Sequence, residues 1–209
     1  MASKIDWSKA IKPLLKKYKG KTHPLEYKSI YQLVVMVVLS ARDSDKHINQ
    51  IAPKLFAAFP NMYALSKASQ EDLYPYIGGV RNFGNKAKWL VEMAQKIKKD
   101  NSIPNKLEPL TELPGIGRKS ANVILRESGH PAEGVIVDLH VLRVAPRLGI
   151  ARGTDPKKIE KQMMDVLPRS QWDAGMAMSY LGREICRPRD PKCEICPMNT
   201  VCAYYKQKK

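Results

Sequence analysis

The residues best suited to chemistry fall in three short stretches of the C-terminal half. All four cysteines, Cys186, Cys193, Cys196 and Cys202, lie within the last 24 of 209 residues, in the pattern Cys-x6-Cys-x2-Cys-x5-Cys with prolines at 188, 191 and 197. A disulfide framework spreads its crosslinks through a chain, so this crowding points to tetrathiolate metal binding. Zinc and a [4Fe–4S] cluster both accept four cysteines. A zinc ribbon more often shows two Cys-x2-Cys knuckles, and only the Cys193/Cys196 pair has that spacing.

The second stretch is Leu113-Pro-Gly-Ile-Gly-Arg-Lys-Ser-Ala-Asn122, followed by Val123, Ile124 and Leu125. A tight Gly-x-Gly turn running straight into a helix is similar to a helix-hairpin-helix. Gly115 and Gly117 can take backbone angles closed to other residues. Their N–H groups, with those of the turn that begins at Arg118, can then converge on one phosphate. Ile116 between them is expected to anchor the turn in the core. Lys119, two residues on, is either a nucleophilic amine or one more contribution to a positive field.

The third stretch, Val135-Ile-Val-Asp-Leu-His-Val-Leu-Arg143, sets one carboxylate, Asp138, between an apolar run and a helix. An aspartate there ordinarily caps the helix. A lysine near a helix start together with a desolvated aspartate is also what base excision with strand cleavage requires. The neutral amine attacks a sugar carbon, and the carboxylate balances the developing sugar cation.

The rest of the chain must position these groups. Ser29-IYQLVVMVVLSA-Arg42 is apolar nearly all round yet too short to span a bilayer, so it is expected to be the central buried helix. Helical stretches follow over 51–59, 70–77 and 85–98, separated by Pro60, Gly78-Gly79 and Pro104. Ser170-x-x-Asp173 and Asp155-Pro156 look like further helix starts. The opening segment, with Lys4, Lys9, Lys12, Lys16, Lys17, Lys19 and Lys21, reads as one basic amphipathic helix with Ile11, Leu14, Leu15 and Tyr18 on its apolar face. Alternating β patterns and internal repeats are absent, which makes the fold class all-α.

Lysine and arginine number 36 against 20 aspartates and glutamates, a formal charge of +16. Such an excess calls for a polyanionic partner, with nucleic acid first because phosphate neutralisation releases condensed counterions. An anionic membrane surface comes second. No stretch reaches about 18 apolar residues, and MASKIDWSKA lacks the apolar core of a signal peptide, so a soluble, cytoplasmic protein is expected.

With LPGIGRKSAN, VDLH and the cysteine loop in this order, the chain resembles the endonuclease III family of helix-hairpin-helix base-excision glycosylases over nearly its whole length. The resemblance implies a [4Fe–4S] cluster on the four cysteines, Lys119 as nucleophile and Asp138 as the essential carboxylate. It implies a helical barrel over about 22–130 and a cluster domain built from 1–21 and 131–209. It also implies a monomer, from a bacterium, acting on double-stranded DNA with damaged bases or abasic sites. Oxidised pyrimidines would be removed and the strand cut 3′ to the lesion. Arg187, Arg189 and Lys192 in the cysteine loop could then meet a phosphate backbone.

Two positions depart from the family pattern. Arg42 stands where the relatives commonly carry a glutamine that fills the space left by a flipped base, and Asn82 stands where a leucine wedge is usual. Both are taken as DNA-contacting candidates. The plain alternatives are a cation at a helix end for Arg42 and a turn residue beside Gly84 for Asn82. His140 is assigned no catalytic role, and Trp7, Trp89 and Trp172 are assigned to packing. Competing functions are a mismatch-specific glycosylase, motivated by Arg42 and Asn82, and a non-catalytic DNA- or RNA-binding module, which would not need both Lys119 and Asp138.

Overall fold

The computed structural model describes residues 5–208, which are helical or irregular, with no β-strand among them. Lys4 of the basic opening segment lies outside the described residues. The chain divides into two compact units, one Thr22–Pro131, the other Met1–Lys21 with Ala132–Lys209.

The first unit is arranged about the Ile30–Leu39 helix. Ser29 caps it by accepting from the Gln32 N–H, and every residue from Leu33 to Leu39 is buried. A helix apolar all round can only be covered on all sides. The helices Asp45–Ala58, Phe83–Ile97 and Arg118–Glu127 pack against it. Tyr31 is buried with its hydroxyl donating to the Phe59 carbonyl at 2.7 Å, and burial raises its pKa. Met62–Ser66 and Gln70–Ile77 pack on Phe83–Ile97, and Leu107–Thr111 packs on Arg118–Glu127. The Gln70 start carries a full capping box from Ser69 and Asp72. Asp45–Ala58 begins six residues ahead of the expected 51, because Ser44 caps it and Pro53 is carried inside the helix.

The second unit is built on Ala174–Glu184, buried from Ala174 through Gly182. Val141–Leu148 and Lys12–Lys17 pack against it, and Ala203–Lys206 and Pro156–Val166 pack on Val141–Leu148. The N-terminal segment is fastened by specific contacts. Tyr18 donates to Glu184 at 3.1 Å, Lys21 pairs with Glu184, and the Tyr18 and Tyr180 rings lie 5.6 Å apart.

Two further expected elements differ. The single basic helix is two short ones, Trp7–Ala10 and Lys12–Lys17, interrupted at Ile11; Pro13, in the first turn of the second, has no N–H to continue the ladder of the first. The expected apolar face survives, since Ile11, Leu14 and Tyr18 are buried. The start expected at Ser170 falls instead after Asp173, and Arg169–Gln171 is a 3-10 turn. Tertiary bonds hold that turn: Gln171 Nε2 donates to the Ser8 carbonyl at 2.8 Å and Trp172 Nε1 to the Leu167 carbonyl at 3.3 Å.

Candidate active site and thiol cluster

The hairpin joins Leu107–Thr111 to Arg118–Glu127. Ile116 is buried and anchors the turn. The two glycines prove unequal. Gly115 has φ 79°, and a Cβ there would lie 3.0 Å from Trp89 and 3.2 Å from Val38. Gly117 has φ −91° and ψ 172°, extended backbone open to any residue, and a Cβ there would meet nothing within 4 Å. Of the two glycines that can take angles closed to other residues, only Gly115 does so. The helix starts at Arg118 without a side-chain cap, and Gly117, Arg118 and Lys119 are all exposed.

Asp138 is half-buried behind the buried run Gly134–Val137. Its Oδ1 accepts from the His140 and Val141 N–H groups, both at 2.9 Å, so the capping reading is correct as far as it goes. Its Oδ2 accepts from the Ser179 hydroxyl at 2.5 Å, from a buried residue that sequence reasoning passed over.

The four cysteines line one pocket together with Leu148, Leu181, Ile185, Tyr204 and Tyr205. Among the described residues no three His, Cys, Asp or Glu side chains are gathered closely enough to hold one ion directly. Burial pushes the Cys196 thiol up to about 11, and the other three cysteines add to the rise against a hydrogen bond from the Met198 backbone. Cys193 is raised for the same leading reason. Thiols that resist ionising together need positive charge in their midst before they can act as ligands.

Two arginines that the motifs did not single out hold the loop. Arg143 Nε donates to the Cys186 carbonyl at 3.0 Å and its Nη2 to the Gly182 carbonyl at 2.9 Å. Arg147 donates to the Arg187 and Pro188 carbonyls at 2.7 and 3.1 Å, approaches the Cys186 sulfur at 3.6 Å, and stacks over Tyr204. The available signal was their i,i+4 spacing, which puts both on one face of Val141–Leu148. Arg187, Arg189 and Lys192 project from the loop, exposed.

Arg42 and Asn82 share a feature: both are exposed and left-handed, at φ 59° and 60°, as a turn asparagine readily is and an arginine is not. Such a conformation is uncommon outside glycine and is held here by tertiary bonds. The Asp43 carboxylate accepts from the Ser44 N–H at 2.7 Å and the Arg81 N–H at 3.1 Å, tying the two turns together. Buried Lys86 donates to the Leu39 and Ala41 carbonyls, both at 2.7 Å, closing the end of Ile30–Leu39 beneath Arg42. Burial lowers the Lys86 pKa, and the Asp43 carboxylate acts against that. Lys86 gave no sequence signal, because a lysine in an amphipathic helix reads as solvated.

Residues 35–169 match the HhH-GPD superfamily base excision DNA repair protein model. Endonuclease III of Synechocystis sp. is 36% identical over 206 residues, spanning 97% of this chain and 94% of the relative. That of Thermotoga maritima is 33% identical, over 85% and 84%. Among solved structures, a trapped endonuclease III–DNA covalent intermediate superposes with a TM-score of 0.85 at 29% identity, over 96% of this chain and 95% of that one. The chain belongs to the HhH-GPD superfamily of base excision DNA repair proteins. Its activity is that of a DNA glycosylase and abasic-site lyase.

Proposed function

We infer that the protein binds damaged duplex DNA, removes an oxidised pyrimidine with Lys119 as nucleophile and Asp138 as the charge-balancing carboxylate, and cuts the strand 3′ to the site. The observation that carries the reading is that one unit presents an exposed lysine in the first turn of a helix and the other holds a half-buried aspartate by three donors. The covalent endonuclease III–DNA intermediate of the structural relative supports it.

The steps follow from the groups. The duplex gives up the damaged base to a pocket, at a cost lowest where pairing is already weakened. The unprotonated Lys119 Nζ attacks the sugar C1′, the glycosidic bond breaks, and the base leaves with the bonding electrons. Asp138 stabilises the positive charge that builds on the sugar meanwhile. The amine adduct opens to a Schiff base. Loss of a proton from C2′ then expels the 3′ phosphate by β-elimination. Wild-type protein mixed with an abasic duplex and borohydride should yield a stable protein–DNA adduct, since only a Schiff base can be so reduced. Absence of any adduct would overturn the lyase assignment.

The hairpin supplies phosphate contacts through Gly115, Gly117 and Arg118, where a helix begins without a side-chain cap and its dipole favours an anion. Gly115→Ala is expected to lower stability by about 1–3 kcal/mol in urea denaturation, because it forces a left-handed alanine against Trp89. Gly117→Ala should leave stability within about 0.5 kcal/mol. Its added methyl stands where DNA approaches, so affinity for damaged and undamaged duplexes should fall alike. Arg42 and Asn82, presented on linked turns, act as the probes of the duplex at the lesion.

Cys186, Cys193, Cys196 and Cys202 hold a [4Fe–4S] cluster in this reading, which supplies positive charge and crosslinks the loop. Four thiols that line one pocket, with no three of them gathered about a single point, suit a cuboidal cluster better than one tetrahedral ion. Aerobically purified protein is expected to be yellow-brown, absorbing near roughly 400 nm; colourless protein with stoichiometric zinc would contradict the cluster. The protein is placed in the cytoplasm with the DNA it repairs; none of its described helices is long and apolar enough to cross a membrane.

A further inference from the structure

We propose that Ser179 is a positioning residue for the reaction, fixing the plane of the Asp138 carboxylate, an inference that rests on Asp138 having the role given above. A buried serine in mid-helix usually turns its hydroxyl back to the carbonyl one turn earlier. Ser179 instead donates across to Asp138 Oδ2 at 2.5 Å. Its neighbours Met176, Ala177, Met178, Tyr180 and Leu181 are buried and largely apolar, so packing alone would be served by alanine.

The helix is shaped to bring the two together. Residues 175, 179 and 182 share one face of Ala174–Glu184, and the segment around Asp138 lies directly on it. A Cβ on Gly175 would lie 2.4 Å from the Ile136 carbonyl oxygen, and one on Gly182 would lie 2.8 Å from the His140 Cβ. Four helical residues from 175 to 179 rise about 6 Å. Two extended residues from 136 to 138 advance about 6.6 Å. The registers therefore coincide, and Asp138 arrives over Ser179.

The hydrogen bonds divide the work. Both backbone donors act on Oδ1, so a swing about the Cβ–Cγ bond is resisted at one oxygen only. The Ser179 bond to Oδ2 resists the same swing from the other oxygen, and it leaves that oxygen a second lone pair. A carboxylate that must meet charge developing on a sugar gains from such fixing, because orientation is settled before the reaction.

The test compares Ser179→Ala with wild type and with Asp138→Asn, all cluster-loaded. Two rates are measured: single-turnover excision on whichever duplex of a lesion panel the wild type processes fastest, and cleavage of a preformed abasic duplex. Ser179→Ala is expected to slow excision roughly 10- to 100-fold, the scale of a misplaced reacting group. Duplex affinity and abasic cleavage should stay within about threefold, since the base has already gone. Wild-type excision by Ser179→Ala, alongside a crippled Asp138→Asn, would overturn the role of Ser179 and leave that of Asp138 intact. An equal fall in excision and abasic cleavage would reduce Ser179 to a merely structural part and also overturn it. Wild-type excision by Asp138→Asn would instead refute the reading of Asp138 itself.

Discussion

Lys119→Gln protein, mixed with an abasic duplex and borohydride, is expected to form no covalent adduct, and its strand cleavage should fall by at least about three orders of magnitude. The glutamine keeps similar length and polarity but has no amine to form a Schiff base. Folding should be untouched, because Lys119 is exposed in the first turn of Arg118–Glu127 and exposed substitutions away from special features rarely move stability by more than about 0.5 kcal/mol. Affinity for lesion duplex should persist for the same reason, apart from the loss of one positive charge. Adduct formation or cleavage at the wild-type level, read on a denaturing gel, would show that another nucleophile does the chemistry.

Asp138→Asn should slow base excision by roughly 10²- to 10³-fold. The structure makes this a clean comparison. Asparagine can still accept from the His140 and Val141 N–H groups through its carbonyl oxygen, and its amide can face the Ser179 hydroxyl, which then accepts. The cap on the following helix survives, so thermal unfolding should stay near that of the wild type. What is lost is the negative charge opposite the developing sugar cation. On a preformed abasic site that cation need not form, since Lys119 attacks an aldehyde, and cleavage there should suffer much less. Excision at the wild-type rate, or equal losses on both substrates, would show that Asp138 serves only as a helix cap.

Much of this was legible before any fold was known, because it rests on residues close together in the chain. Asp155 announces a helix whose Lys158 N–H it accepts, and Ser29 opens the apolar stretch that it caps. The apolar run from Ile30 to Leu39 can only be a covered helix. The hairpin, the lysine behind it and the four cysteines are likewise local patterns, and their types and spacing limit the chemistry open to them. The all-α class follows from the same short-range regularities.

Tertiary structure alone decided the rest. Ser179 meets Asp138 across 41 residues of sequence, and a lone serine in an apolar helix carries no mark of that partner. Lys86 reads as solvent-facing until the end of Ile30–Leu39 offers it two carbonyls. Arg143 and Arg147 become supports of the cysteine loop only when Val141–Leu148 packs against its neighbours. Of two glycines that look equivalent in the motif, only Gly115 is pressed against Trp89 and Val38 in a left-handed turn. Asn82 has a local tolerance of the left-handed region, but Arg42 has none, and their turns are held by Asp43 and Lys86. Short-range preferences fix which segments are helical and where many of them start. A buried hydroxyl, amine or strained turn finds its purpose only in what the folded chain brings within about 3 Å of it.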